Sequence, residues 1–298
     1  MHIIKKLQEV KNASQTLSGI SIEKRNKIIL DIAEKLLQNS EKIISENKKD
    51  LEKMEDNHSM IDRLLLDYSR IEAMANGCKK LEKIKDPLEK YSLEKKIITE
   101  NGIKIKKQAI ALGVVSCIYE ARPNVTIDLF NMCIKSGNAV ILRGGSQAEN
   151  SNNILIKIIK EVLRENKIDE NIVYNFSLER KNIEILYNAT NFVDVIIPRG
   201  SKKLIDSVRK KSLIPVIETG AGVVHLYLDN DIKQENLEKV KNIIINAKIS
   251  RPSVCNAMDT LIINKNLDKD FIKLLFEELK KLGVGIFTEE EKNGLFLK

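Results

Sequence analysis

The fold is decided by one stretch of the sequence, residues 109–146, which reads AIALGVVSCIYEARPNVTIDLFNMCIKSGNAVILRGGS. Its apolar run at 109–119 ends in charged residues, and an amphipathic segment at 125–135 leads to a second apolar run at 139–142. Continuous apolar strands that alternate with amphipathic helices are typical of a parallel sheet covered by helices on both faces. The sequence therefore predicts an α/β protein with a doubly wound, mostly parallel sheet.

The same alternation continues along the rest of the chain. Further strands are predicted at 172–175, 193–197 and 214–217, with helices at 149–163, 181–189 and 201–211. After residue 218 the predicted strands are 223–228, 260–263 and 284–287, with helices at 232–248 and 268–281. We therefore expect two domains, 1–217 and 218–298, because the chain is long enough to form more than one core.

The region before this sheet has a different pattern. Up to residue 86, apolar residues recur at 3.6-residue spacing, which predicts N-terminal helices. The dipeptide Asn101-Gly102 between two alternating runs then predicts a β-hairpin. Such an arm at 96–109 is often a contact between subunits, so we expect it to project from the domain and to serve in a homo-oligomer.

Composition excludes several classes of protein. The net charge is +8, but lysines alternate with glutamates along predicted helices, and aromatic residues make up only 4% of the chain. This pattern indicates solvated helix faces rather than a nucleic-acid-binding surface. Apolar runs fall short of the ~20 residues that a membrane span needs, and the N-terminus lacks the features of a secretory signal. We therefore expect a cytoplasmic protein without nucleic-acid or membrane partners.

The cysteines and histidines argue against a disulfide scaffold and a metal centre. The chain has four cysteines and three histidines, which lie far apart without ligand-like spacing. Three cysteines fall in apolar stretches, whereas Cys255 lies in the polar turn RPSVCN at 251–256. A nearby arginine, Arg251, would favour the reactive thiolate. From the residues alone, a nucleophile and a half-buried structural cysteine are both open for Cys255.

Two glycine-containing loops follow neighbouring predicted strands. The first reads RGGS at 143–146 and the second reads PRGS at 198–201. Because ligands bind beyond the carboxyl ends of parallel strands, both loops are candidates for a phosphate site. Each ends in a serine that is expected to cap the following helix, and helix N-termini with nearby arginines favour anions. Neither loop matches the GxGxxG or Walker pattern, and a plain turn with a cap stays open for each.

Five segments together resemble the gamma-glutamyl phosphate reductase family of the aldehyde dehydrogenase superfamily. They are IYEARPNVTID at 118–128, SGNAVILRGGS at 136–146, VDVIIPRG at 193–200, PVIETGAG at 215–222 and RPSVCNA at 251–257. The resemblance implies an NADP(H)-dependent reduction of L-glutamyl 5-phosphate to L-glutamate 5-semialdehyde and phosphate, the second step of proline biosynthesis. It also implies a thioester on Cys255 as the intermediate and a functional link to glutamate 5-kinase.

The resemblance assigns roles to named positions of this chain. The implied catalytic residues are Cys255 and Asn256, and the implied substrate-binding residues are Glu120, Arg122, Asn124 and Arg251. The implied cofactor-binding residues are Arg143, Gly144, Gly145, Ser146, Arg199, Gly200, Ser201, Glu218 and Gly220. Two positions depart from the family pattern, since Gln147 stands where a glutamate is usual and Ser201 where a glycine is frequent.

The family also continues beyond the position of Lys298. The resemblance therefore predicts an aldehyde-dehydrogenase-like architecture whose second domain, 218–298, is a partial catalytic domain. One alternative is a catalytically silent fragment that binds nucleotide or a complementary C-terminal segment. Another is an acyl-phosphate or aldehyde dehydrogenase for a different acid, and a basic nucleic-acid-binding protein is a third.

Overall fold

A computed structural model describes the protein in residues 2–54, 58–90, 97–98, 100–105, 107–218, 222–250, 252, 254, 256–287 and 296–297. It contains two compact units, Met1–Thr219 and Gly220–Lys298. Each unit has a hydrophobic core of its own. None of the helices in the described ranges is long and apolar enough to cross a membrane.

The first unit begins with the predicted helices. They are α1 (His2–Thr16), α2 (Ile22–Gln38), α3 (Ser40–Leu51), α4 (His58–Leu64), α5 (Tyr68–Glu82) and α6 (Pro87–Lys90). The apolar positions at helical spacing are buried, for example Ile28 and Ile32 on α2 and Ile71 on α5. Helices α2 and α5 pack against each other through these side chains. This agrees with the helical prediction for the first 86 residues.

The predicted hairpin is present between the helices and the large sheet. Strands β1 (Ile97–Ile98) and β2 (Lys104–Ile105) pair antiparallel, with Ile97 opposite Ile105. Ile98, Ile103 and Ile105 are exposed, so both the strands and the connection between them carry apolar surface.

A four-stranded parallel sheet forms the centre of the first unit. Its strands are β3 (Val114–Tyr119), β4 (Ala139–Arg143), β5 (Val173–Asn175) and β6 (Val195–Arg199), in the spatial order β5-β4-β3-β6. The helices between and after them are α7 (Asn124–Lys135), α8 (Glu149–Glu165), α9 (Ile183–Tyr187) and α10 (Lys202–Lys211). The chain runs from β3 outward to β5 and then returns to the other side of β3. Since such crossovers are right-handed, the helices cover both faces of the sheet.

One strand prediction in this unit had the wrong start and another was wrong. The buried strand expected at 109–119 begins only at Val114, because Gly113 has a φ of +116° and Ile110 is 80% exposed. The strand expected at 214–217 contributes a single parallel bridge between Val216 and Ile196. The apolar residues there pack beside the sheet edge without continuing it as a strand.

A long-range ion pair joins the first helix to the amino end of the sheet. Lys11 Nζ on α1 lies 2.8 and 2.9 Å from the carboxylate oxygens of Asp194. The same carboxylate accepts a hydrogen bond of 2.7 Å from the backbone N–H of Val114 at the start of β3. Helix α1 is therefore fixed to the sheet by residues that are 183 positions apart.

The second unit has a smaller three-stranded sheet. Its elements are β7 (His225–Leu228), α11 (Leu237–Ile249), β8 (Thr260–Ile263), α12 (Lys269–Lys281) and β9 (Phe296–Leu297). β7 and β8 are parallel, and β9 pairs antiparallel with β8. The strand predicted at 284–287 is irregular, although Val284 and Ile286 pack against the core of this unit. The third strand position beside β8 is taken by β9.

Candidate active site

Three loops of the first unit meet at the carboxyl edge of the parallel sheet. They follow β3, β4 and β6, whose last residues are Tyr119, Arg143 and Arg199. β3 lies between the other two strands, so the three loops are neighbours. The chain reverses its direction of travel across the sheet between β3 and β6, and ligands of open α/β sheets bind at such a switch point. This is the best-supported ligand site of the unit.

The loop after β6 is held to the loop after β3 by a carboxylate. Glu120 Oε1 accepts hydrogen bonds from the backbone N–H of Ser201 at 3.0 Å and from Ser201 Oγ at 2.6 Å. A Cβ on Gly200 would lie 2.6 Å from Glu120 Cδ, so the carboxylate can take this position only beside a glycine. Ser201 also caps α10 by accepting a hydrogen bond from Leu204 N–H at 3.4 Å. The predicted helix cap at Ser201 is confirmed.

The loop after β4 packs on a series of buried side chains that are joined by hydrogen bonds. The hydroxyl of Tyr119 donates to Thr126 Oγ1 at 2.7 Å, and Thr126 donates to Asn152 Oδ1 at 2.7 Å. Burial raises the pKa of Tyr119, so this phenol stays protonated as a donor. A Cβ on Gly144 would collide with the amide of Asn152 and approach the ring of Tyr119. The glycine therefore lets the loop backbone lie directly on these side chains.

The cap predicted for α8 was wrong. Ser146 begins a short 3₁₀ turn, Ser146–Ala148, and α8 starts only at Glu149. The first amides of α8 are instead held by buried Asp50, which accepts from Asn150 N–H at 3.1 Å and from Ser151 N–H at 2.8 Å. Because a carboxylate of α3 already occupies this helix end, the N-terminus of α8 is not a free anion site.

The remaining predicted residues of the first unit have identifiable surroundings. Arg143 donates from Nη2 to the carbonyl of Leu178 at 3.3 Å, which places it between the ends of β4 and β5. Arg199 is exposed at the end of β6. Glu218 lies at the end of this unit, where Arg209 Nη1 is 3.6 Å from Glu218 Oε1. The structure thus brings the loop residues to one edge and leaves Glu218 beside α10.

Asp128 is a charged neighbour that the sequence analysis missed. Asn124 Nδ2 donates to Asp128 Oδ2 at 3.2 Å, one turn along α7. Desolvation raises the pKa of Asp128, while the hydrogen bond from Asn124 and the positive charge of Arg199 lower it. The spacing of Asn124 and Asp128 in the sequence could have revealed this pair. The proximity of Arg199 to Asp128 could not have been predicted from the sequence, because Arg199 lies on another strand.

The predicted residues of the second unit are only partly described. Asn256 lies in an exposed turn after α11, whereas Cys255, Arg251 and Gly220 lie outside the described residues. The cysteines that the structure describes are Cys78, Cys117 and Cys133, and each is buried. Burial raises the pKa of Cys78 to about 11, and the hydrogen bond with Cys117 together with burial raises the pKa of Cys133 above its usual value. The thiols of Cys78 and Cys133 are therefore protonated at neutral pH and are poor nucleophiles.

Comparison with known proteins identifies the family. The sequence model of the aldehyde dehydrogenase family matches residues 2–294. The chain belongs to the aldehyde dehydrogenase family. A gamma-glutamyl phosphate reductase of Chlorobaculum parvum is 42% identical over 97% of this chain and 67% of its own length. A gamma-glutamyl phosphate reductase of Legionella pneumophila is 45% identical over 97% of this chain and 68% of its own length.

Solved aldehyde dehydrogenase family structures confirm the fold. The crystal structure of a gamma-glutamyl phosphate reductase from Thermotoga maritima superposes with a TM-score of 0.82 at 34% identity. The match covers 95% of this chain and 68% of that chain. The resemblance to this branch of the aldehyde dehydrogenase family and the predicted fold class are confirmed.

The loops at the sheet edge fit the nicotinamide cofactor that this dehydrogenase family implies. Gly144 and Gly200 keep the backbone of their loops open at positions where any side chain would collide with neighbours. Ser201 begins a helix of ten residues whose first two residues are Lys202 and Lys203. Backbone donors, a helix N-terminus and nearby cations are the groups that hold a pyrophosphate.

Proposed function

We propose that the protein reduces L-glutamyl 5-phosphate to L-glutamate 5-semialdehyde and phosphate in proline biosynthesis, with NADPH as the reductant. One observation carries the proposal: three loops, which include the predicted cofactor-binding residues at 143–146 and 199–201, meet at the switch point of a family-typical sheet. The names and identities of the reductases described above support the choice of reaction.

The proposed cofactor-binding residues would each contact a different part of NADPH. Gly144, Gly145 and Ser146 would line the ribose side of the cofactor, and Gly200 and Ser201 the pyrophosphate. Arg143 is our candidate for the 2′-phosphate, since a guanidinium pairs well with phosphate oxygens. When bound, NADPH supplies the hydride that reduces the thioester carbonyl carbon to an aldehyde and releases the thiolate of Cys255.

The proposed covalent step belongs to Cys255. Its thiolate attacks the carbonyl carbon of the acyl phosphate, the bond from that carbon to the phosphate oxygen breaks, and phosphate leaves. The product is a thioester on Cys255, so one difficult reduction is divided into two easier steps. An oxyanion develops in each step, and a backbone N–H at Asn256 would stabilise it. Arg122, Asn124 and Arg251 are our candidates for the anionic groups of the substrate.

The first prediction tests the nucleophile by measuring NADP⁺ reduction at 340 nm with glutamate 5-semialdehyde and phosphate. We expect Cys255→Ala to lower turnover at least about 10³-fold, because loss of a covalent nucleophile removes the pathway itself. Cys78→Ala is the matched control, since this buried thiol packs in the core and is protonated at neutral pH. It should keep turnover within about threefold of the wild type.

Three other outcomes of this experiment each have a defined meaning. Turnover that survives in Cys255→Ala would rule out the thioester. A wild type that binds NADPH without turnover would support the alternative of a catalytically silent chain, and addition of the C-terminal segment of a longer relative would then be the next assay. A wild type that binds no nicotinamide cofactor at all would contradict the proposed function.

A further inference from the structure

Glu120 is the side chain that spans the switch point of the sheet. It follows β3, yet its carboxylate is bound by Ser201 of the neighbouring loop, 81 residues later in the chain. The backbone is fixed as well, since the N–H of Glu120 donates to the carbonyl of Arg199 at 3.2 Å. The carboxylate therefore bridges the two loops between which a ligand of this sheet would bind.

The donors that hold Glu120 are the donors assigned above to the cofactor. Both hydrogen bonds come from Ser201, and Ser201 is flanked in the sequence by the exposed cations Arg199, Lys202 and Lys203. A carboxylate oxygen accepts the same hydrogen bonds as a phosphate oxygen and also carries negative charge. Two anionic groups cannot occupy one set of donors without strong repulsion.

We propose that the Glu120 carboxylate occupies the position between the loops after β3 and β6 where an anionic ligand would bind, and that it must leave this position when such a ligand binds. This inference rests on the proposed function in taking that ligand to be the pyrophosphate of NADPH. Gly200 is necessary for this arrangement, because a Cβ at position 200 would collide with the carboxylate of Glu120. Glu120 therefore lowers the affinity for anions at this position.

The second prediction separates the charge of Glu120 from its hydrogen bonds. Glu120→Gln keeps an oxygen that can accept from Ser201 but removes the negative charge. We expect this variant to bind NADPH and inorganic pyrophosphate about three- to tenfold more tightly than wild type in low-salt buffer, by isothermal titration calorimetry. The gain should fall below about twofold at 0.5 M salt, since screening weakens a charge effect.

Two further variants complete the test. Glu149→Gln makes the same chemical change at an exposed glutamate that begins α8, and it should leave both affinities within about twofold of wild type. Glu120→Ala removes the bridge as well as the charge, so it should also bind more tightly while unfolding at a lower temperature. A purely structural role for Glu120 would instead make both Glu120 variants bind more weakly.

The outcomes distinguish this inference from the proposed function. Unchanged or weaker binding of both probes to a folded Glu120→Gln protein would overturn the role of Glu120, even if the wild type is an active reductase. Absence of NADPH binding in wild type would contradict the proposed function. In that case the binding of inorganic pyrophosphate still tests the role of Glu120. Tighter binding to Glu120→Gln than to wild type would support the inference, and equal or undetectable binding would overturn it.

Discussion

The buried thiol of Cys78 shows how packing controls the chemistry of a single residue. Its side chain is 2% exposed and accepts a hydrogen bond from Asn131 Nδ2 at 3.1 Å. Burial penalises the thiolate and raises the pKa from 9.0 to about 11. The folded chain therefore keeps this proton at pH values where the unfolded chain has lost it.

The third prediction is a pH dependence caused by Cys78. Between pH 9 and about 11 the unfolded chain ionises this thiol and the folded chain does not, so wild-type stability must fall as the pH rises. Cys78→Ala lacks this contribution. Across this pH window, the unfolding free energy of wild type should fall relative to that of the variant by up to ~2–3 kcal/mol. Urea unfolding at pH 8 and pH 10.5 measures it, and a constant difference would contradict the assignment.

At the scale of elements, Asp50 is the contact on which the start of α8 depends. Its two carboxylate oxygens accept from Asn150 N–H, Asn150 Nδ2, Ser151 N–H and Ser151 Oγ, all within 3.1 Å. The residue is 1% exposed, so the charge is stabilised by these donors and by the positive end of the helix. One side chain thus joins α3 to α8.

The fourth prediction concerns this connection. Asp50→Ala should lower the free energy of unfolding by about 2–4 kcal/mol, because it leaves buried donors of Asn150 and Ser151 without their acceptor. Glu46→Ala is a matched control on the same helix, since it loses only a surface ion pair with Lys49 and should cost less than ~1 kcal/mol. Chemical denaturation followed by circular dichroism compares the two. Equal losses of unfolding free energy in both variants would show that the buried cap by Asp50 contributes no more to stability than the surface ion pair of Glu46.

The two helix caps explain what the sequence could predict and what it could not. Ser201 caps α10 from the adjacent position, so its role is visible in the local sequence. Ser146 stands in the same kind of loop, but α8 is capped by Asp50, which is 100 residues away. Strand and helix positions depend mostly on local periodicity, whereas a cap from another helix depends on tertiary packing. The same limit applies to Asn152 beneath Gly144, which only the folded chain brings together.

At the scale of the whole molecule, the first unit exposes several large apolar side chains in its hairpin and in the segment that follows it. The exposed residues are Ile98, Ile103, Ile105, Ile110 and Leu112, with exposed fractions from 48% to 80%. Large apolar side chains that are exposed close together in the sequence favour an interaction site. It supports the prediction, made from the alternating sequence, that the hairpin is a contact between subunits.

The fifth prediction tests this contact by sedimentation velocity. We expect the wild type to self-associate and the double variant Ile103→Lys, Ile105→Lys to dissociate at least about tenfold more readily, because two charges would be placed in an apolar interface. Leu274→Lys is the control, as it changes an exposed leucine on α12 of the second unit. A wild type that stays monomeric at every concentration, or a double variant that associates equally well, would exclude the hairpin as the contact.

The ion pair between Lys11 and Asp194 has a consequence for synthesis on the ribosome. Helix α1 is among the first segments to emerge, but its partner carboxylate is 183 residues later. At translation rates of roughly 5 to 20 residues per second, α1 waits roughly 10 to 40 s before Asp194 is synthesised. During this interval its apolar face, with Leu7 and Val10, has no finished sheet to cover. The apolar face of α1 therefore stays without its partner surface until translation has passed β6.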